Sequence, residues 1–269
     1  MTQFLMIADT RIAYDEAGAG DALVLLHAGL GNRSMFDAQM ADLAKRYRVI
    51  RIDARGAGES MRTASSYSDA GDVVAVLNHL DIGRVHVLGV SKGSQTAIEV
   101  ALMAPERVRS LIAVSARTGV PVSPALRANW DEVGRIYESE GIEAANEYEI
   151  RMWIDGPLRT SNDVDPVMRA AAARMNLALL TRTDEFESEQ RIEPPAADRL
   201  EEIVCPTLII WGDQDIGDVL IAGPVLAQRI ANAQKAVVTG TSHLPQMEQP
   251  AQFNRTVLDF LASVERASG

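Results

Sequence analysis

Short continuous apolar runs that alternate with amphipathic stretches constrain the fold of this chain more than any other feature. The run over residues 22–26, Ala-Leu-Val-Leu-Leu, contains no polar residue, which is typical of a strand buried on both faces. Further strands are predicted at residues 4–7, 11–15, 48–52, 85–88, 111–114, 205–211 and 235–238, and helices at residues 35–46, 69–80, 92–103, 221–231 and 250–264. This alternation predicts an α/β protein with a mostly parallel sheet and helices on both of its faces.

The alternation stops over residues 117–200, a stretch rich in Ala, Glu, Arg and Met that contains no convincing strand. We interpret this stretch as several helices inserted between two strands of the sheet. The sequence therefore predicts one core domain, formed by residues 1–116 and 201–269, with residues 117–200 as a helical cap.

Composition and charge exclude several classes of protein. The net charge is −11 and the basic residues are scattered, so nucleic acid would be repelled. Cys205 is the only cysteine, which excludes an intrachain disulfide and a Cys-rich metal site. The sequence shows neither a signal peptide nor a run of about 18 apolar residues, so we expect a cytoplasmic protein that does not contact a membrane. Its assembly stays open, with a homodimer as one alternative.

A glycine-flanked serine stands where the predicted strand 85–88 meets the predicted helix 92–103. The segment over residues 89–93 reads Gly-Val-Ser-Lys-Gly. In this pattern the turn from strand to helix is so sharp that bulky side chains two positions before or after Ser91 would clash. The strained backbone of the turn exposes the serine hydroxyl. Because the helix also points its N-terminus at the site, negative charge is favoured there. Ser91 is therefore predicted to be a nucleophile.

A serine nucleophile needs a base, which is normally a histidine. Of the four histidines, His79 and His86 fall inside a predicted helix and a predicted strand, where both are predicted to be structural. His27 ends the strand at residues 22–26. His243 follows the last apolar strand, in a loop that would return to the carboxyl edge of the sheet, and is predicted to be the general base.

The base in turn needs a carboxylate that orients its ring. This fold can hold that acid after the strand 111–114, but residues 115–119 contain no carboxylate. The segment that follows Trp211 offers Asp213 and Asp215, so the role is left to one of these two. The order serine, aspartate, histidine along the chain is the one expected of an α/β-hydrolase.

Several motifs together carry a resemblance to a known family. They are His27-Ala28-Gly29, the segment Asp-Ala-Arg-Gly-Ala-Gly-Glu-Ser over residues 53–60, the glycine-flanked Ser91, Trp211-Gly212-x-x-Asp215, and His243 followed by Glu248-Gln249-Pro250. With them the chain resembles the α/β-hydrolase family, in particular capped esterases and lactonases such as 3-oxoadipate enol-lactonases. The resemblance covers nearly the whole chain outside the cap, and it implies an α/β-hydrolase fold with an eight-stranded sheet.

The resemblance also implies roles for individual residues. In the family's Gly-x-x-Asp pattern the second acid serves the base, which implies Asp215 for that role and a turn or capping role for Asp213. The oxyanion hole would consist of the backbone N–H groups of Lys92 and of Gly29, with Leu30 as the alternative to Gly29. His27 would orient that loop. Residues 53–60 would form a structural turn, since they lack the lysine and the spacing of phosphate-binding loops.

The side chain of Lys92 is unusual, because a cation at a helix N-terminus opposes the helix dipole. One interpretation is that the side chain extends into solvent or pairs with a cap carboxylate such as Glu138 or Glu147. The alternative hypothesis is that its ammonium group binds an anionic substrate. Ser94 replaces a second glycine that often follows the serine, and it is small enough to preserve close packing.

The sequence predicts a serine hydrolase that cleaves a carboxylic ester or lactone, a small molecule, with no metal or organic cofactor. Carbon–carbon bond hydrolysis of vinylogous diketones by the same three residues is the alternative. A non-enzymatic ligand receptor on a hydrolase scaffold is a third hypothesis. Candidate substrate-binding residues are Leu30, Trp130, Tyr137 and Trp153.

Overall fold

A computed structural model describes residues 1–62, 65–182 and 189–268 of the chain. Its strands are β1 (Gln3–Ile7), β2 (Thr10–Ala17), β3 (Ala22–Leu26), β4 (Arg48–Ile52), β5 (Val85–Val90), β6 (Val108–Val114), β7 (Thr207–Gly212) and β8 (Ala233–Val238). They form one sheet in the order β1-β2-β4-β3-β5-β6-β7-β8. Only β1–β2 and β2–β4 pair antiparallel, and the other neighbours are parallel. The predicted mostly parallel, eight-stranded sheet is confirmed.

Helices cover both faces of this sheet, and between β6 and β7 they form a separate group. The helices are α1 (Asp37–Leu43), α2 (Asp69–His79), α3 (Lys92–Met103), α4 (Pro124–Glu140), α5 (Ile142–Ile150), α6 (Pro166–Leu180), α7 (Gly217–Arg229), α8 (Pro245–Glu248) and α9 (Pro250–Ser268). The helices α4, α5 and α6 all lie within the predicted insertion, residues 117–200. Part of that insertion, residues 183–188, lies outside the described residues. Among the residues described, no helix has the length and apolar character that crossing a membrane requires.

The continuous apolar runs are explained by two hydrophobic cores, one on each face of the sheet. In β3, Val24 and Leu26 belong to one core, whereas Leu23 and Leu25 belong to the other. Successive side chains of a strand point to opposite faces, so a strand covered on both sides has no position left for a polar residue. The first core packs against α2, α3 and α7, and the second against α1 and α9.

Some predicted boundaries differ from the structure. The helix predicted at residues 221–231 begins earlier, because α7 spans Gly217–Arg229 and contains Pro224. Glycine and proline disfavour a helix interior, and tertiary packing overrides that preference here. Residues 35–46 divide into a short 3₁₀ turn, Arg33–Phe36, and α1.

The turn between β5 and α3 is sterically dependent on its two glycines. A Cβ atom added to Gly89 would lie 2.0 Å from the carbonyl oxygen of Gly93. One added to Gly93 would lie 2.2 Å from the carbonyl oxygen of Leu26, at the end of β3. Since real Cβ atoms do not approach backbone oxygens so closely, only glycine allows α3 to begin against the strands. Ser91, between them, has a φ of 53°, which is strained for a residue with a side chain.

We predict that Gly89→Ala lowers the free energy of unfolding by about 3 kcal/mol or more, because the new methyl group overlaps backbone atoms. Gly134→Ala is the matched control, since a Cβ atom at Gly134, inside α4, meets nothing within 4 Å. The control should be neutral or raise the stability by up to about 1 kcal/mol. Urea denaturation measures both, and equal stabilities of the two variants would contradict the steric argument.

His86 of β5 makes the stability dependent on pH. It is almost fully buried, its Nδ1 lies 2.8 Å from the Ser110 hydroxyl, and burial lowers its pKa to about 4. Between that value and the unfolded value of about 6.5, the unfolded chain binds more protons than the folded one. Stability therefore falls as the pH falls through this interval, and His86 accounts for about 3 kcal/mol of the loss.

The measurement is the free energy of unfolding of the wild type and of His86→Gln at several pH values from 7 to 4. The difference between the two proteins should shrink steadily as the pH falls, because the variant lacks the buried titrating ring. His79→Gln, a change at an exposed histidine of α2, is the matched control. If the His86→Gln curve ran parallel to the wild-type curve, the titration would belong to other groups.

Candidate active site

Ser91, His243 and Asp215 meet at the carboxyl edge of the sheet. Each residue follows a parallel strand, Ser91 after β5, Asp215 after β7 and His243 after β8. The Nε2 atom of His243 lies 2.8 Å from the Oγ atom of Ser91. Its Nδ1 atom lies 2.9 Å from Oδ2 of Asp215. The structure thus brings together the three residues that the sequence singled out.

Burial and hydrogen bonds define the state of the histidine ring. His243 and Asp215 are both buried, and Oδ1 of Asp215 also accepts the backbone N–H of Ile216 at 2.8 Å. A carboxylate at Nδ1 favours the tautomer with its proton on that nitrogen. The other nitrogen, Nε2, is then free to accept the proton of the Ser91 hydroxyl, which is the arrangement that a general base requires.

The structure separates the two aspartates that the sequence left open. Oδ1 of Asp213 accepts the backbone N–H of Gly240 at 2.7 Å, in the loop that leads to His243. Asp213 therefore fastens this loop to the end of β7, while Asp215 contacts the ring itself. This placement matches the turn role that was predicted for Asp213.

The loop that carries His243 rests on a π-helical turn at Arg151–Asp155, after α5. The carbonyl oxygen of Trp153 in this turn accepts the hydroxyl of Ser242 at 3.0 Å and the backbone N–H of His243 at 3.3 Å. The indole ring of Trp153 packs against the imidazole with 4.4 Å between centroids. Trp153, which the sequence offered only as a substrate-binding candidate, thus positions the histidine. No pattern in the sequence indicated this turn.

Glu248 holds the same loop from the other side. Its carboxylate accepts the backbone N–H of Ser242 at 2.7 Å and pairs with Arg159 at 2.6 Å. Arg159 also donates to the backbone carbonyl of Gly240 at 2.8 Å. The segment Glu248-Gln249-Pro250 carried part of the family resemblance without an assigned role, and the structure indicates loop positioning.

The backbone N–H groups of Gly29 and Lys92, the predicted oxyanion donors, have no acceptor among the described residues. Lys92 is the first residue of α3, where a helix leaves its N–H groups unpaired. A Cβ atom on Gly29 would lie 3.6 Å from Cβ of Lys92, so the two residues are neighbours. Leu30, the alternative to Gly29, also has a backbone N–H without an acceptor among the described residues, while its side chain is buried in the core. This geometry is suitable for holding an oxyanion.

His27 fixes the loop that contains Gly29. Its Nδ1 lies 2.7 Å from the carbonyl oxygen of Ala28, and its Nε2 accepts the backbone N–H of Ala54 at 2.9 Å. Burial lowers the pKa of His27, so the ring stays neutral and keeps this donor–acceptor pattern. Asp53 accepts the backbone N–H groups of Arg33 and Glu59 at 2.7 and 2.9 Å, which makes residues 53–60 a hydrogen-bonded turn beside the site.

The side chain of Lys92 is held in an ion pair. Its Nζ lies 2.6 Å from Asp69 of α2 and 3.5 Å from Glu189. Burial alone would lower the pKa of Lys92, but these two carboxylates outweigh it and raise the pKa. The expected partners were Glu138 or Glu147; Glu147 instead pairs with Arg169, because α5 turns its carboxylate toward α6. Two carboxylates thus neutralise the ammonium group of Lys92, that of the buried Asp69 and that of Glu189.

A cavity of about 610 Å³ opens beside Ser91. Its lining includes Trp153, residues 195–197 and the turn after β6, which we define as residues 115–120. Trp130 of α4 lies against the guanidinium group of Arg117, another lining residue, and Tyr137 is half exposed on the same helix.

Comparisons with known proteins agree with this architecture. A family model described as the alpha/beta hydrolase fold matches residues 21–250. A relative from Cupriavidus pinatubonensis, named 2-hydroxy-6-oxononadienedioate/2-hydroxy-6-oxononatrienedioate hydrolase, is 32% identical over 268 residues, covering 94% of this chain and 91% of its own.

Solved structures give the same result. A hydrolase from Pseudomonas aeruginosa is 27% identical with a TM-score of 0.78, covering 97% of this chain and 98% of its own. The enol-lactonase from Burkholderia xenovorans reaches a TM-score of 0.80 at 24% identity, covering 97% and 100%, and supports the fold alone. Because the family model matches most of the chain, the chain belongs to the α/β-hydrolase family.

Proposed function

We propose that this protein is a serine hydrolase that cleaves a carboxylic ester or lactone through an acyl-enzyme on Ser91. The observation that carries the proposal is the continuous chain of contacts from Ser91 through His243 to Asp215, at 2.8 and 2.9 Å. This arrangement provides a nucleophile, a base and a group that orients the base, which is what acyl transfer to water requires.

The reaction begins when Nε2 of His243 removes the hydroxyl proton of Ser91 and Oγ attacks the substrate carbonyl carbon. The carbonyl π electrons move to its oxygen, which becomes an oxyanion. When the tetrahedral intermediate collapses, the bond to the leaving oxygen breaks and His243 returns the proton to it. His243 then activates a water molecule in the same way, which releases the acid and regenerates Ser91.

The backbone N–H groups of Gly29 and Lys92 stabilise the oxyanion in both steps. Each group is fixed before substrate binds, so it costs no reorganisation, and each contributes about 3 kcal/mol of transition-state stabilisation. The carboxylate of Asp215 stabilises the imidazolium that forms on His243. Trp153 maintains the position of the ring through its packing contact.

We assign substrate selection to residues 117–200, the predicted cap. Trp153 and residues 195–197 from this segment line the cavity beside Ser91, opposite the strand ends of the core. The lining that this segment contributes can be changed at residues other than Trp153 without altering the contacts among Ser91, His243 and Asp215, which the strand ends of the core carry. The acyl group and the leaving group are therefore selected by residues of the cap and of the turn after β6.

We expect Ser91→Ala to abolish the hydrolysis of p-nitrophenyl acetate, because no other described hydroxyl is bonded to His243. Ser139→Ala, at an exposed serine of α4, should retain full activity.

Asp215→Asn should lower kcat by roughly 10⁴, since the ring would then hold the wrong tautomer. A fluorophosphonate probe should label Ser91. Labelling at another residue, or ligand binding without turnover in the wild type, would contradict the proposal and favour the receptor hypothesis.

Carbon–carbon bond hydrolysis is the second candidate, and the specific support for it is the relative named 2-hydroxy-6-oxononadienedioate/2-hydroxy-6-oxononatrienedioate hydrolase, 32% identical over 94% of this chain. The same three residues would serve both reactions. The difference lies in the leaving group, because an alkoxide takes the proton directly from His243. A carbon leaving group must first delocalise its electron pair, which requires a conjugated ketone in the substrate.

A panel of substrates separates these two candidates. We expect kcat/KM to be higher for p-nitrophenyl esters and γ-lactones than for a vinylogous 1,5-diketone, with Ser91→Ala as the blank for each substrate. The three reactions would be followed by nitrophenolate release, by acid production and by loss of the dienol absorbance. A diketone that is cleaved faster than every ester and lactone would establish carbon–carbon hydrolysis as the function.

A further inference from the structure

The turn that follows β6 presents two polar side chains to the cavity beside Ser91. Both Ser115 and Arg117 line this cavity. Some members of the fold hold the catalytic acid at this place, but here the turn carries none, because Asp215 after β7 contacts His243 instead. The side chains of this turn can therefore serve a function other than orienting His243.

Ser115 has the properties of a residue kept for its hydroxyl group. Its backbone φ is 48°, in the left-handed region that a residue with a side chain rarely adopts. Its side chain is fully buried, and its Oγ has no hydrogen-bond partner within residues 1–62, 65–182 and 189–268. Strained backbone and an unsatisfied buried hydroxyl are both unfavourable for folding, so together they indicate a functional site.

Arg117 places a positive charge two residues further along. Its guanidinium group lies 5.4 Å from the ring centroid of Trp130, a stacking contact that limits its movement. Burial lowers the pKa of Arg117 even though the charges of Asp218 and Asp215 raise it. Neither acid is bonded to the arginine, since Asp218 accepts the backbone N–H of Ser123 and Asp215 contacts His243.

The other cations that line the cavity are already neutralised. Lys92 pairs with Asp69 and Glu189, as described above. Arg191 lies 2.9 Å from Glu189 and 3.5 Å from Glu99. Among the described cations around this cavity, Arg117 is thus the one with no acidic partner within ion-pair distance. A half-buried guanidinium without a counter-ion is a binding site for an anion.

We propose that Arg117 and Ser115 bind a carboxylate group of the substrate, so that the enzyme prefers esters, lactones or ketones that carry one. The planar guanidinium fork matches the two oxygens of a carboxylate, and the Ser115 hydroxyl supplies one more donor. This inference rests on the proposed function, because the same cavity must hold the scissile carbonyl at Ser91. Anion recognition is thus assigned to the turn after β6 and not to the ammonium group of Lys92, which is already paired.

The test uses matched substrate pairs that differ only in one charge. Mono-4-nitrophenyl adipate and its methyl ester place the carboxylate on the acyl side. 4-Acetoxybenzoate and its methyl ester place it on the leaving-group side. For each pair the ratio of kcat/KM, anionic over neutral, is measured after subtraction of the uncatalysed rate. We expect the wild type to prefer the anionic member of at least one pair.

Arg117→Met should lower this ratio at least about tenfold, the usual effect of losing a charge-assisted hydrogen bond. Arg117→Lys should lose less, since it keeps the charge but not the fork. Ser115→Ala should lower the ratio about threefold or more, the usual effect of losing a hydrogen bond from a neutral donor. The matched control is Arg191→Gln, which removes a paired cation from the same cavity and should change the ratio much less.

Several results would overturn the inference. These are a wild type without preference for either anionic substrate, an unchanged ratio in Arg117→Met, and equal losses in Arg117→Met and Arg191→Gln. Equal losses would mean that the overall charge of the cavity decides selectivity. Circular dichroism of each variant confirms that it is folded. Failure of the proposed function is a separate result, because it would appear as neutral-ester hydrolysis that persists in Ser91→Ala.

Discussion

The site depends first on a steric constraint, the close approach of α3 to the ends of β3 and β5. Gly93 lies so near the carbonyl oxygens of Leu26 and His27 that no side chain fits, and Gly89 lies equally near the carbonyl oxygen of Gly93. This approach forces Ser91 into a positive φ and raises its hydroxyl above the sheet. It also points the unpaired N–H groups of the first turn of α3 at the place where an oxyanion would form. One tight turn therefore positions both the Ser91 hydroxyl and the backbone N–H group of Lys92.

The second half of the site depends on the helices between β6 and β7, although His243 itself belongs to the core. The π-helical turn at Arg151–Asp155 supplies the carbonyl oxygen that holds Ser242 and His243, and its indole packs against the imidazole. A π-helical turn is unusual in a helix and is often found at functional sites. Substitutions in the inserted helices can thus affect the orientation of the base as well as the shape of the cavity.

The sequence predicted the sheet and the three central residues because each has a local signature. A continuous apolar run, a glycine-flanked serine and the order of Ser91, Asp215 and His243 can all be recognised without knowledge of the packing. The partner of Lys92 could not be predicted, since Asp69 reaches it only when α2 packs beside α3. The support of His243 by Trp153 was missed for the same reason, because an unusual helical turn creates that contact.

The same limit applies to anion recognition, for which the sequence offered only Lys92, as an alternative to a lysine that extends into solvent or pairs with a carboxylate. Lys92 is next to the nucleophile in the sequence, but neighbouring carboxylates neutralise it. With a net charge of −11, the protein as a whole does not attract anions over long distances. Physiological salt screens that field beyond about 8 Å, whereas a half-buried cation still acts on a group in contact with it. For a chain this acidic, selection of a carboxylate would require a cation at the site itself, and Arg117 has no acidic partner within ion-pair distance among the described residues.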